Sequence, residues 1–354
     1  MGARDYSIQL DPLETLSKGG ILLAQLRTAS AEASDSLREL KRRHASACKT
    51  YYQLAAISRR KLLDAEVREA CTRRLYPIRS SIERSILADL CHPETSFAVE
   101  SEAVSPSFFG VSAKQGVSIR YPLQACVPTS RCGGGCYAHD GRDREIHHIF
   151  RGVLNYWLGL RYENGTDEVR ARILRLLRPG IRRAVIAARL DRSNAQKGGY
   201  ERPARIRFSH VGEIAATPRF ANALAQAVKK YDRSVSCVIY TRHPKAAELN
   251  PNLFVVNFTV EGPNDARRKF APQTARLVSS AWDGVLIEDA EINFLEHHIG
   301  RIATAQGTGN ICPVTASHQE TPSCDSARCN RCFAPVDNSI VRLRRGRPES
   351  LPTQ

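Results

Sequence analysis

The sequence predicts an α/β protein: a partial parallel, barrel-like βα core, preceded by a helical N-terminal region and carrying cysteine-rich metal loops. Three observations point there. Strand-like and helix-like segments alternate between residues 204 and 260, apolar residues recur at helical spacing through the first ninety, and most of the eleven cysteines fall into two tight groups. A chain of 354 residues with 42% apolar content can hold one such domain plus an appendage.

The elements follow in chain order. Leu13, Leu16, Ile21, Leu22 and Leu26, then Leu37 and Leu40, keep helical spacing among many basic residues, so residues 1–92 are expected as a basic helical region, interrupted at Pro77 and ended by His92-Pro93. Residues 93–120 are polar and expected as a linker. An α/β core with both cysteine groups is expected over 121–335. It opens with a glycine-rich loop and a basic helical stretch from Arg144 to Leu190, broken at Pro179-Gly180. Strands are then expected over Ala204–Phe208, Val235–Tyr240 and Leu253–Val260, with a helix over Thr217–Tyr231 that Thr217 caps and Pro218 begins. Strand, helix, strand, short helix and strand in this order read as parallel βα units. Val285-Leu286-Ile287 is a further candidate strand, and residues 336–354 are expected as a disordered tail.

Charge and segment lengths bound the partners. The excess of 52 Lys and Arg over 36 Asp and Glu gives a formal charge of +16, which favours contact with nucleic acid, although the arginines are spread along the chain and no common nucleic-acid motif is present. No apolar run is long enough to span a membrane, and MGARDYSIQLDPLE lacks the apolar core of a signal peptide. A cytoplasmic protein without membrane contact is expected. In such a reducing compartment clustered cysteines bind metal before they form disulfides.

The downstream group, Cys312, Cys324, Cys329 and Cys332, supplies four thiolates in a C-x11-C-x4-C-x2-C pattern, enough for tetrahedral zinc or an iron–sulfur cluster. The upstream group, Cys126, Cys132 and Cys136, is C-x5-C-x3-C, with His139 three residues on. Three thiolates would leave one iron of a four-iron cluster open, whereas His139 would close a zinc site, and spacing does not choose. Cys48, Cys71, Cys91 and Cys237 are expected as ordinary thiols without a role. The neighbouring His147-His148 and His297-His298 point apart on a helix and are expected as surface or core residues.

The segments CGGGCYA, RIRFSHVGE, VIYTRH and ICPVT followed by CDSARCNRCF resemble the gene-88-product family of mycobacteriophages and related plasmid proteins, over about Cys126 to Phe333. That resemblance implies two cysteine groups flanking an α/β core. Its strand motif ending in Ser, Gly and an acid looks like Ser209, Gly212 and Glu213, with His210 and Val211 intervening and Glu213 where aspartate is usual. Its Tyr-Thr-basic strand end looks like Tyr240, Thr241 and Arg242. Cys136-Tyr137-Ala138 is also similar to the cluster loop of radical S-adenosylmethionine enzymes, which precedes a partial parallel barrel, though their spacing is C-x3-C-x2-C.

The expected function is therefore an iron–sulfur enzyme of radical type on an unknown substrate, with S-adenosylmethionine as a cofactor the resemblance implies. Glu213 and Arg242 would be catalytic, and Ser209, Gly212, Tyr240 and Thr241 would bind the cofactor. The alternative for Glu213 and Arg242 is a strand-end ion pair. The alternative for the whole chain is a zinc-stabilised module that binds nucleic acid without catalysis.

Overall fold

The structure, a computed structural model, describes residues 38–56, 65–91, 108–112, 116–129, 136–139, 141–197, 202–261, 264–281, 290 and 292–295. Within the expected N-terminal helical region two helices are described, α1 over 38–56 and α2 over Ala65–Leu90, while the leucines and isoleucine from Leu13 to Leu37 lie outside the described residues. Pro77 does not interrupt α2 but lies inside it. Proline costs the helix one hydrogen bond, and here Leu75, Arg79, Ile82, Glu83 and Ile86, buried on either side, hold the helix through that loss.

β1 (Phe109–Ser112) and β2 (Gly116–Ile119) fall within the stretch expected as a linker. Then come α3 (Ile146–Asn164) and α4 (Asp167–Lys197). The expected break at Pro179-Gly180 is likewise absent. The division lies at Gly165, after which Asp167 and Glu168 complement the α4 N-terminal dipole. Gly180 sits buried in α4, where an added Cβ would only touch Phe109 at 3.8 Å. The remaining elements are β3 (Arg205–Arg207), α5 (Pro218–Tyr231), β4 (Ser236–Thr241), β5 (Phe254–Val260), β6 (Arg276–Ala281) and β7 (Ile292–Leu295). Val285-Leu286-Ile287, Cys132, the downstream cysteines, His297-His298 and the tail lie outside the described residues.

Among the described residues the strands form one seven-stranded sheet in sequential order, β1 to β7. β1 and β2 pair antiparallel and each later pair is parallel, so the sheet is mixed. Register sorts the faces, because paired residues share one. Val117, Ile206, Cys237 and Phe254 share a face with Ile239, Val256 and Phe258. This apolar face joins the buried stripes of α3 (Ile149, Phe150, Val153, Trp157), α4 (Ile173, Leu177, Ile181, Ala184) and α5 (Phe220, Leu224, Val228) in one core. The opposite face is the more polar: Ser118 and Arg207 lie in one row with Val238 and Val255, and Tyr240, Asn257 and Arg276 in the next.

Thr217 occupies the α5 N-cap position, but its side chain makes no capping bond. Its hydroxyl is drawn instead to the Ile214 carbonyl at 3.2 Å and the buried Tyr121 hydroxyl at 2.9 Å. Buried neighbours thus override the local preference.

Gly212 has φ +71°, in the left-handed region, and a Cβ there would lie 2.6 Å from the Pro122 carbonyl oxygen and nearer still to Tyr121. Tyr121 N donates to Val211 O at 2.7 Å and His210 N to Ile119 O at 2.9 Å, so the two segments lie backbone to backbone. Gly212→Ala is expected to cost at least about 2 kcal/mol. Gly180→Ala, with room and better helix propensity, should gain about 0.5–1 kcal/mol. Urea unfolding midpoints of the two variants check both signs.

Candidate functional site

Because the parallel strands run one way in sequential order, the segments that follow them collect at one edge of the sheet. The upstream cysteine loop follows β2, Ser209 to Glu213 follow β3, Thr241 and Arg242 close β4, and Glu261 follows β5. This carboxyl edge is where α/β folds place their sites.

The loop is tied to α2 by a buried ion pair. Arg79 Nε donates to Glu83 Oε1 at 2.8 Å, with side chains 2% and 0% exposed. Glu83 Oε2 accepts from Gln124 N at 3.3 Å, ahead of Cys126. Arg79 donates to Ala138 O and, at 3.1 Å, to Asp143 O, beyond Cys136. The pair therefore grips both limbs of the loop. Burial alone would lower the Arg79 pKa, but the Glu83 charge more than reverses this and the guanidinium stays charged; burial pushes Glu83 up. Tyr76 OH adds a bond to Leu123 O at 2.9 Å.

Between these anchors Leu123, Cys136, Ala138 and Val211 form a small apolar cluster, with Cys126 and Tyr76 packed on it. Of the three upstream cysteines, Cys136 thus belongs to the cluster of Val211, which precedes Gly212 and Glu213, and Cys126 packs against that cluster. Three residues beyond Cys136, His139 is buried, with Nδ1 2.7 Å from the Tyr51 hydroxyl of α1, a bond that fixes the ring.

Glu213 is 6% exposed, and its Oε2 accepts from Thr241 Oγ1 at 2.7 Å and Arg242 N at 3.2 Å. Burial raises its pKa against these bonds. The Glu213–Arg242 side-chain ion pair held as an alternative is not formed; Arg242 Nη1 reaches Glu261 at 2.7 Å, and Thr129 of the cysteine loop donates to the same carboxylate. Ser209 and Tyr240 meet through Arg207, whose Nε donates to Ser209 O at 2.7 Å and whose guanidinium lies 4.7 Å from the Tyr240 ring centroid. Sequence reasoning missed Arg207, Arg79, Glu83, Asp143 and Glu261. For Arg207 alone a signal was present, as it sits inside the strand that the resemblance singled out.

Asp143 connects the loop to β3 and β2, lying 3.1 Å from His210 Nε2 and 3.0 Å from Arg120 Nε. Burial would raise its pKa, but the His210 hydrogen bond and Arg120 hold it at about 2. His147 and His148, expected to point apart, have ring centroids 4.0 Å apart; with Glu145 they bring three donor atoms within 4.8 Å. Arg120 and Arg151 face both histidines and oppose a cation there. Cys48 and Cys237 are buried thiols, which burial raises to about 11 and about 12.

The chain matches no protein-family model, no curated protein and no solved structure. What fold and site define is an α/β protein with a mixed sheet whose cysteine loop lies at the carboxyl edge of its parallel strands. Among the described residues no helix is long and apolar enough to cross a membrane.

Two predictions follow from this geometry. Arg79→Met or Glu83→Gln leaves a buried charge or donor without its partner and is expected to cost about 3–5 kcal/mol. Arg79→Met combined with Glu83→Leu should cost less than the sum, in a double-mutant cycle read by denaturant unfolding. The second concerns acid. Burial first, then Arg120 and His147, lowers His148 from 6.5 to about 3. Below 6.5 the unfolded chain takes up a proton that the folded chain refuses, so stability falls as pH drops through that window. Asp143 adds to the loss between 3.8 and about 2. His148→Gln should flatten the upper part of this slope, and urea midpoints taken down the window check it.

Proposed function

We propose that this chain is an iron–sulfur enzyme of radical type, with a partial barrel-like core and a cytoplasmic location. The observation that carries the reading is the place of Cys136 in one apolar cluster with Val211, which precedes Gly212 and Glu213, with Cys126 packed against that cluster. The donor set suits the group: cysteine thiolates, from a loop held at both ends, against a dry wall that protects a reactive centre. Cys126, Cys132 and Cys136 would hold the cluster, and Cys312, Cys324, Cys329 and Cys332 a second one. A four-iron cluster with three thiolates leaves one iron open and, when bound, supplies one-electron chemistry to a cofactor such as S-adenosylmethionine.

The chain's own residues have separate tasks in this reading. Glu213 is a buried acceptor for an ammonium or hydroxyl group of the cofactor, and Thr241 and the Arg242 amide orient it. Gly212 admits the Tyr121–Pro122 backbone, which keeps Glu213 at the loop. Arg242, neutralised by Glu261, is a positioning residue that joins the β4 and β5 ends to Thr129.

A second reading, a zinc-stabilised nucleic-acid-binding module, is favoured by one feature. α4 turns Arg175, Arg178, Arg182 and Arg183 to solvent over two helical turns. Binding through them would weaken steeply as salt rises.

The experiment is the metal content and visible absorption of protein purified without oxygen. Iron with sulfide and a brown chromophore are expected, and Cys136→Ala should remove the upstream cluster while leaving the downstream one. Colourless protein carrying zinc, and none of the iron or sulfide after anaerobic reconstitution, would reject the enzyme reading in favour of the second.

A further inference from the structure

The polar face of the sheet carries Arg207, held by neutral groups as Arg276 is, whose Nη1 donates to Asn257 Oδ1 at 3.1 Å. Arg120, Arg202 and Arg242 each hold a carboxylate, on Asp143, Asp191 and Glu261. Among the described residues no carboxylate pairs with Arg207. Its backbone lies in the row of Ser118, Val238 and Val255, whereas both groups that its head contacts, Ser209 O and the Tyr240 ring, lie two residues further along their chains. The side chain therefore runs toward the carboxyl edge, where the cysteine loop and Glu213 are.

How the guanidinium is held decides what it can do. Nε is used on Ser209 O at 2.7 Å and the flat group lies 4.7 Å from the Tyr240 ring centroid, which fixes its plane. The terminal nitrogens that remain form the edge that grips a carboxylate or phosphate with two parallel bonds. Ser209 supplies an independent sign. It is 4% exposed, and among the described residues its hydroxyl has no hydrogen-bond partner. Leaving such a group unmet costs about 1–3 kcal/mol, so a buried hydroxyl without a partner asks for a ligand.

We propose that Arg207 and Ser209 form an oxyanion subsite, stacked on Tyr240, which binds a carboxylate or phosphate group of the substrate at the edge of the sheet. The assignment names the substrate class of the site described above and takes its catalytic meaning from that reading. It makes Arg207 the residue that selects anionic substrates and presents them to the edge shared with the cysteine loop. Tyr240 then acts as the platform beneath the guanidinium.

The test is a titration of the full chain, labelled with 15N-arginine and prepared without oxygen, using inorganic phosphate and, separately, acetate at constant ionic strength. A saturable shift of the Arg207 Nε–H resonance is expected with at least one anion, and the stronger binder tells a phosphate from a carboxylate substrate. Arg207→Gln should abolish binding seen by calorimetry. Arg207→Lys, which keeps the charge but loses the fork, should weaken it about tenfold, as Ser209→Ala should by a few-fold. No saturable shift with either anion, or undiminished binding by Arg207→Gln, overturns the subsite. Iron and sulfide are measured on the same samples. Anion binding in protein that holds no iron supports the subsite while removing the cluster reading, and iron with no anion binding does the reverse.

Discussion

Arg79 and Glu83 stand one helical turn apart on α2 with almost no exposure, and removing two charges from water costs several kcal/mol per ion before anything is gained. Their mutual attraction does not suffice without further hydrogen bonds, and the backbone of the cysteine loop provides them. Gln124 N meets Glu83, while the carbonyls of Ala138 and Asp143 meet Arg79. The dependence runs in both directions. The loop has its position because the pair needs its polar backbone atoms, and the pair survives burial because the loop delivers them. Tyr51, reaching from α1 to His139 and to Arg79, draws the first helix into the same arrangement.

A second constraint acts from the sheet. The φ of Gly212 and the nearness of Tyr121 and Pro122 press the turn after β3 against the entry to the cysteine loop. Val211 thereby completes the apolar cluster under Cys126 and Cys136, and Glu213 is carried to the β4 end, where Thr241 and the Arg242 amide receive its carboxylate. The parallel direction of the strands makes this convergence possible, since β2, β3, β4 and β5 each deliver the segment that follows to one edge. The helical side of the sheet supplies a rigid apolar support, and the polar side is left for chemistry.

What the sequence showed, and what it hid, follows from the range of the interactions. β3, α5, β4 and β5 were legible because their apolar pattern is local and repeats over several residues. β1 and β2 were not: each has four residues, and the glycines at 110 and 116 resemble loop signals until pairing is seen. Pro77 and Pro179 misled in the same way, since the local cost of a proline is visible in sequence while the packing that overrides it is not. Ser209, Gly212, Glu213 and Thr241 were found through a resemblance carried by a motif. Arg79 and Glu83 form an ordinary i, i+4 pair in a basic helix, a pattern that is usually solvated, so nothing local marks this one as buried. Arg207 and Tyr240 sit on different strands, and only register brings them together.

The charges at the carboxyl edge separate into those that cancel and those that do not. Asp143 is met by Arg120 and His210, and Glu261 by Arg242 and Arg267. Glu213 accepts from the Thr241 hydroxyl and the Arg242 amide, and burial raises its pKa against these bonds and the Arg242 charge. Arg207 faces a carbonyl and an aromatic ring. This acid and this base lie on either side of one turn, before and after Ser209 to Gly212, and the structure pairs neither with the other. Keeping them apart leaves an acceptor and a donor of opposite charge at the edge that carries the cysteines, an arrangement suited to a ligand with complementary groups.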